Sequence, residues 1–263
     1  MADIAQTPSA PRHGVPEFRP VTFGVLRDAL RRAVTDMVMA PGYGILFAFP
    51  YVAVGWLLAW ITWGTGQSYW LVFAAVSFPL FGPFAAVGLY EVSRRLARHE
   101  PLELGPILTV ILHQRKRQLP SICAIILMLL LFWFFLGHMI FALFMGLSVM
   151  TNVSTSAGVF LTGNGLTMLA VGSLVGAGFA LLLYMITVVA LPLLLDREVD
   201  FVTAMIASFG TVTANPLPML AWALLVAVLT FVAMLPAFVG LFVVLPLLGH
   251  ATWHVYALVA DRD

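Results

Sequence analysis

The sequence predicts an all-α protein that crosses a membrane several times, with short amphipathic helices along one surface. Three observations carry this expectation. Of 263 residues, 62% are hydrophobic and only 10% charged, whereas soluble domains carry about 25% charged residues. Three stretches, Met37–Tyr90, Gln118–Leu195 and Phe201–Ala260, contain no Asp, Glu, Lys or Arg. One helical crossing needs roughly 20 apolar residues, so each stretch has room for a hairpin of two. Each hairpin follows an amphipathic segment and a proline: Pro41, Pro120 and Pro216.

Residues 1–20 hold Pro8, Pro11, Pro16 and Pro20 and read as a disordered cytoplasmic tail, ahead of a single transmembrane domain over 21–260. From Thr22 the pattern turns helical. Phe23, Leu26, Leu30, Val34 and Met37 share one face, with Arg27, Asp28, Arg31, Arg32 and Asp36 opposite, which suits a helix lying on a membrane surface. Crossings follow over about 43–63 and 69–92, joined at Gly64-Thr65-Gly66 and flanked by Trp60, Trp63, Tyr69 and Trp70, where interfacial aromatics are expected. A loop with Arg94, Arg95 and Arg98 leads to a second amphipathic piece carrying Leu104, Ile107, Leu108, Ile111 and Leu112.

The third crossing is expected over about 120–147. Thr151–Thr167, rich in Ser, Thr, Asn and Gly, reads as the long external loop, and the fourth crossing covers about 168–192. Asp196-Arg197-Glu198 marks a return to water, and Asp200–Asn215 is the third amphipathic segment. The last apolar stretch divides at Pro236 into crossings over 217–235 and 237–258. The alternative is one tilted crossing followed by a re-entrant or surface helix. The recurring strings Pro79–Gly82 (PLFG), Pro192–Leu195 (PLLL) and Pro246–Gly249 (PLLG) suggest three helix-plus-hairpin repeats.

On six crossings, every basic residue falls on one side: twelve Arg and Lys116. The positive-inside rule makes that side the cytoplasm, which predicts a bacterial inner-membrane protein with both termini cytoplasmic. The single cysteine, Cys123, excludes an intrachain disulfide and a thiolate metal site. Residues 1–36 lack the apolar core of a signal peptide, so the first crossing is expected to direct insertion.

His250 and His254, four residues apart on one helical face, have a spacing able to grip a metal ion or offer imidazole to a haem iron. His138 could add a ligand or relay protons, since polar groups inside a bilayer are costly. Against this, His, Trp253 and Tyr256 near a terminus also suit interfacial anchoring, and an intramembrane histidine is more often bonded to a neighbouring helix. No cofactor and no metal are therefore expected. Gly172, Gly176 and Ala180 recur every four residues, the pattern that lets membrane helices approach closely. Arg115, Lys116 and Arg117 are suited to anionic lipid headgroups, at about 1 kcal/mol per basic residue. The chain has no phosphate-cradling glycine loop with Lys, no HExxH, no nucleophile elbow and no carboxylate deep in a crossing, and ion-coupled carriers usually need such a carboxylate.

Ala40-Pro41-Gly42-Tyr43-Gly44, Leu191–Arg197 running into Asp200–Pro216, and Pro246–His254 together resemble a proteobacterial family of predicted multi-pass integral membrane proteins, a domain of unknown function. The resemblance extends from about Val21 to Ala260 and implies fold and localisation without a mechanism. Members are sometimes labelled oxidase-like, a label that only the histidines here could support.

Three functions remain open. The first is a non-catalytic scaffold, assembly factor or accessory component, its partners being the lipid bilayer, other membrane proteins or a second copy, with no nucleic acid. The second is a transporter or channel for a small or amphiphilic solute. The third is a haem- or metal-binding respiratory subunit.

Overall fold

The computed structural model describes residues 12–65, 70–114, 116–146 and 160–260, and the side chains of all of these except 12 and 70–81. Ten helices are described: α1 Phe23–Met39, α2 Pro41–Thr65, α3 Trp70–Ala97, α4 Leu104–Gln114, α5 Leu119–Met145, α6 Gly163–Thr187, α7 Ala190–Asp196, α8 Phe201–Ala214, α9 Pro216–Met234 and α10 Leu241–Val259. The order short helix then hairpin occurs three times, as α1–α2–α3, α4–α5–α6 and α8–α9–α10, with α7 added after the second. The long uncharged loop expected over Thr151–Thr167 lies mostly outside the described residues, and α6 already begins at Gly163.

Local chemistry sets the helix starts. Thr22, Thr162 and Asp200 cap α1, α6 and α8, each side-chain oxygen accepting the amide of the residue three positions on. Capping of this kind satisfies donors a helix cannot pair internally. Pro41 and Pro216 open α2 and α9, where the missing N–H costs nothing. Pro192 breaks α6 from α7, because its ring cannot accept the preceding turn. Ser208 of α8 spans the break: its Oγ accepts from the Val189 amide at 3.1 Å and donates to the Met185 carbonyl at 2.7 Å.

Five described helices or helix runs are long and apolar enough to cross a membrane: 41–65, 119–145, 163–196, 216–234 and 241–259. Residues 70–90 of α3 are likewise free of charge. The fold is thus an all-α polytopic bundle. Its main core lies at the charged end, where Leu26, Ala29 and Ala33 of α1 meet Leu119 and Ile122 of α5, Leu193 of α7, Trp222 of α9 and Tyr256 of α10. The far parts of α5, α6 and α9 leave many large apolar side chains exposed, among them Phe135, Leu143, Leu174 and Phe231. In water that surface would be untenable; in lipid it is solvated.

Two sequence expectations are corrected here. The tail 1–20 is not disordered throughout: Arg12 and His13 pair in parallel with Arg197 and Glu198, Phe18 bridges Ala260, and the Arg19 amide donates to the Val259 carbonyl at 2.8 Å. Backbone pairing of this segment with one short strand and with the end of α10, both distant in sequence, is a property no composition reveals. The first amphipathic helix also has three faces in place of two. Leu26, Ala29, Ala33, Asp36 and Ala40 are buried against the bundle, Phe23, Val34 and Val38 stay exposed and apolar, and Arg27, Arg31 and Arg32 are exposed.

Candidate functional site: a buried polar cluster at the charged end

Three glycines let α2, α3 and α10 come close enough for polar side chains to meet. A Cβ at Gly44 would lie 3.1 Å from Pro246, one at Gly88 would strike the Phe47 ring, and one at Gly249 would strike Leu89. Where α10 and α3 meet, α1 lays its small-residue stripe across them and brings Asp36 inside, only 7% exposed.

Asp36 is the hub of the cluster. Ser93 Oγ donates to its Oδ2 at 2.6 Å, and His254 Nε2 lies 2.7 Å from the same oxygen. On the other side of Ser93, His250 Nδ1 lies 2.7 Å from Oγ. An ionised carboxylate only accepts and a hydroxyl has one hydrogen to give. Ser93 gives that hydrogen to Asp36, so His250 Nδ1–H must donate to Ser93, and His254 must present Nε2–H to Asp36. His250 Nε2 is buried and makes no hydrogen bond of ordinary geometry among the described residues, although the Leu89 backbone carbonyl lies near the ring. The histidine ring itself is fully buried.

A second buried carboxylate stands two residues before Ser93 on α3. Glu91 is fully buried, held by Arg94 at 2.6 Å and Arg95 at 2.7 Å. Around the rim, Asp196 accepts from the Tyr256 hydroxyl at 2.9 Å, and Arg117 pairs with Glu198 at 3.3 Å. Arg197 is buried as well, so Asp196-Arg197-Glu198, read from sequence as a return to water, is partly packed into the bundle. At the edge, burial gives way to solvent, and the exposed Asp200 carboxyl is held below its usual range by its hydrogen bond to Thr203.

His250 and His254 therefore lie together, as their spacing predicts, but they do not share one target: the first turns a nitrogen to Ser93 and the second to Asp36. Among the described residues, no group of three or more His, Cys, Asp or Glu side chains is arranged to hold a metal ion. His138 is remote from the pair. It is exposed on α5, its Nδ1 lies 2.8 Å from its own helix's Phe134 carbonyl, and its ring tilts against Phe134 at 4.4 Å. Gly176 receives Trp133 of α5, since a Cβ there would come 2.9 Å from the indole nitrogen; Gly172 faces open space, and Ala180 is exposed. Of the basic run, Lys116 is exposed and Arg117 is tied to Glu198, while Arg115 lies outside the described residues.

Residues 71–196 match DUF2189, a family of predicted integral membrane proteins. The family expected from the sequence, multi-pass and uncharacterised, is the one this match supports, and the chain is a membrane protein. The matched segment runs from α3 into α7, so it contains Glu91, Ser93, Arg94 and Arg95 but neither Asp36 nor the histidine pair. No curated protein and no solved structure matches the chain.

Sequence reasoning missed Asp36, Glu91 and Ser93. One signal was available for Asp36. Ala29, Ala33, Asp36 and Ala40 follow helical spacing, a stripe of small residues that buries whatever polar residue stands in line with it. The interhelical Ser93–His250 contact had no such signal, because its partners are 157 positions apart.

Proposed function

We propose that the chain is a multi-pass protein of the bacterial inner membrane, with both termini cytoplasmic, acting as a non-catalytic scaffold, assembly factor or accessory component. One observation carries the reading: the ionisable groups of the site are used to fix helices, within one helix or between neighbours. Asp36 fastens α1 to α3 and α10, Glu91 gathers Arg94 and Arg95 on α3, and Asp196 holds Tyr256 of α10. Carboxylates spent on such joints stabilise an arrangement of helices and are not poised to attack or to release a proton. No cofactor enters this reading, and its partners are the bilayer together with other membrane proteins or a second copy of the chain. Lys116 and the exposed Arg27, Arg31 and Arg32 are available to anionic headgroups.

Two measurements test it. Green fluorescent protein fused after residue 263 should fluoresce, as it does only in the cytoplasm; a dark but exported fusion would reverse the orientation. Native mass spectrometry of the protein in lipid nanodiscs should show a stoichiometric assembly. A bare monomer that drives solute flux in proteoliposomes would defeat the accessory role.

A transport reading has one observation in its favour, the buried His250 Nε2 at the end of the His250–Ser93–Asp36–His254 chain. Solute flux abolished by His250→Gln in a folded variant would favour it.

A further inference from the structure

The three hairpins do not reach the same depth. α10 runs antiparallel to α1 and α2, and its contacts measure the descent: His254 meets Asp36, Pro246 meets Gly44, Leu241 clusters with Val52, and Phe238 meets Gly55. The third hairpin turns at that point. At roughly 1.5 Å per residue, Gly55 lies about 16 Å below Gly44, and α2 continues about 15 Å further to Thr65. Its partner α3 descends a comparable distance, roughly 27 Å from Gly88 to Trp70, and α5 descends about 28 Å beyond its last buried residue, Ile126. Past Leu58 no residue of α2 is buried, and Trp60 and Trp63 stand largely exposed.

The turn itself differs chemically from the ends of the other two hairpins. Those ends carry Gly64-Thr65-Gly66-Gln67-Ser68 and the Ser, Thr and Asn of 148–167. Residues 231–249, FVAMLPAFVGLFVVLPLLG, contain no side chain able to form a hydrogen bond. The carbonyls of the turn from Met234 to Gly240 are nevertheless all satisfied, while the Gly240 amide finds no backbone acceptor among the described residues. Ala237 and Phe238 adopt left-handed conformations, with φ of 50° and 65°, and the carbonyls of Met234, Leu235, Pro236, Phe238, Val239 and Gly240 all accept backbone amides. The one remaining carbonyl, Ala237, accepts the Trp56 indole N–H at 2.7 Å. A loop destined for water has no need of such closure; backbone in hydrocarbon must have it.

We propose that α9 and α10 form a re-entrant hairpin that enters from the charged end, turns within the hydrocarbon, and presents Leu235 and Val239 to lipid acyl chains. Raising the whole chain so that α9 and α10 cross completely would drag the exposed Arg27, Arg31 and Arg32 of α1 into the hydrocarbon, where each charge is strongly disfavoured. Four helices, α2, α3, α5 and α6, then make the complete crossings. The termini stay on one side, which is why charge placement along the sequence does not separate this topology from one of six crossings. Lipid fills the far leaflet beneath the tip, against the bare apolar face of α2 at Leu57 and Trp60, 51% and 68% exposed.

Single cysteines at Leu235 and Val239, compared with one at Thr65, test the proposal in proteoliposomes, with the buried native Cys123 as background. Thr65→Cys should react with an impermeant maleimide from the face opposite the charged end. Leu235→Cys and Val239→Cys should react about 100-fold more slowly from either face, since a thiol in hydrocarbon forms no thiolate. Nitroxides attached at those two positions should be relaxed by oxygen and not by a water-soluble nickel chelate. Labelling from the far face at the Thr65→Cys rate would make the hairpin a complete crossing. Nickel access from the charged side would make the tip the floor of an aqueous vestibule. Shielding from both relaxants would place a protein partner on it. Each of these three results overturns the assignment to lipid.

Discussion

Removing the Asp36 carboxylate should release α1 from the bundle. The carboxylate accepts from Ser93 at 2.6 Å and from His254 at 2.7 Å, in a place only 7% exposed. In Asp36→Ala both donors lose their acceptor, and Ser93 must in addition reorganise its contact with His250. Removing one partner of a buried, charge-assisted set costs about 3–5 kcal/mol. At about 1.4 kcal/mol per tenfold, the lower figure alone raises the open population of α1 roughly 100-fold. Arg27, Arg31 and Arg32 lie on the exposed face of that helix, so trypsin reads the opening directly, at a rate that tracks the open population when closing is fast. In nanodiscs, cleavage within α1 should accelerate about 100-fold in Asp36→Ala. Asp36→Asn, which keeps one acceptor, should show a smaller acceleration, and Asp28→Ala on the exposed face should show none. Cleavage in Asp36→Ala within about threefold of the parent would refute the claim that this carboxylate holds the helix.

Glu91→Ala leaves Arg94 and Arg95 without the buried carboxylate they share; a loss of about 3–5 kcal/mol should appear as depleted folded protein by fluorescence-detected chromatography, while Arg94→Ala, which spares the Arg95 pair, should be milder. Gly88→Ala drives a methyl into the Phe47 ring, an overpacking cost of about 1–3 kcal/mol, whereas Gly172→Ala meets nothing within 4 Å and should leave the melting temperature unchanged. For Asp200 the folded pKa lies below its ordinary value because of the hydrogen bond to Thr203. Its capping contribution to α8 is therefore complete above the ordinary carboxylate range and is lost as pH falls through the lowered folded value. Hydrogen exchange at the Thr203 amide, corrected for intrinsic rate, should rise over that acidic window and be pH-independent in Asp200→Ala.

The all-α membrane class and the approximate limits of α2, α5 and α9 follow from sequence, because each rests on local causes. Uncharged length dictates burial in lipid, prolines open α2 and α9, and Thr22 and Asp200 cap the helices behind them. Helical periodicity also brought His250 and His254 to one face without any knowledge of the fold.

Only the tertiary structure decided what those residues touch. Asp36 sits in sequence among Arg27, Asp28, Arg31 and Arg32 and shares their charged character, yet the alanine stripe beside it turns it inward, where His254 waits 218 positions away. Glu91 and Arg95 become a buried joint because α3 continues past the apolar layer into the core of the charged end. The glycines that matter most to the cluster, Gly44, Gly88 and Gly249, belong to no repeating motif and are defined by the ring or side chain each one admits. The register of the last hairpin is likewise a relation between helices: residues 216–259 are apolar enough to cross twice, and only the structure sets Pro246 against Gly44 and Phe238 against Gly55. Local sequence sets what a segment is made of and which solvent it tolerates, whereas contacts across many tens of residues set where it stops.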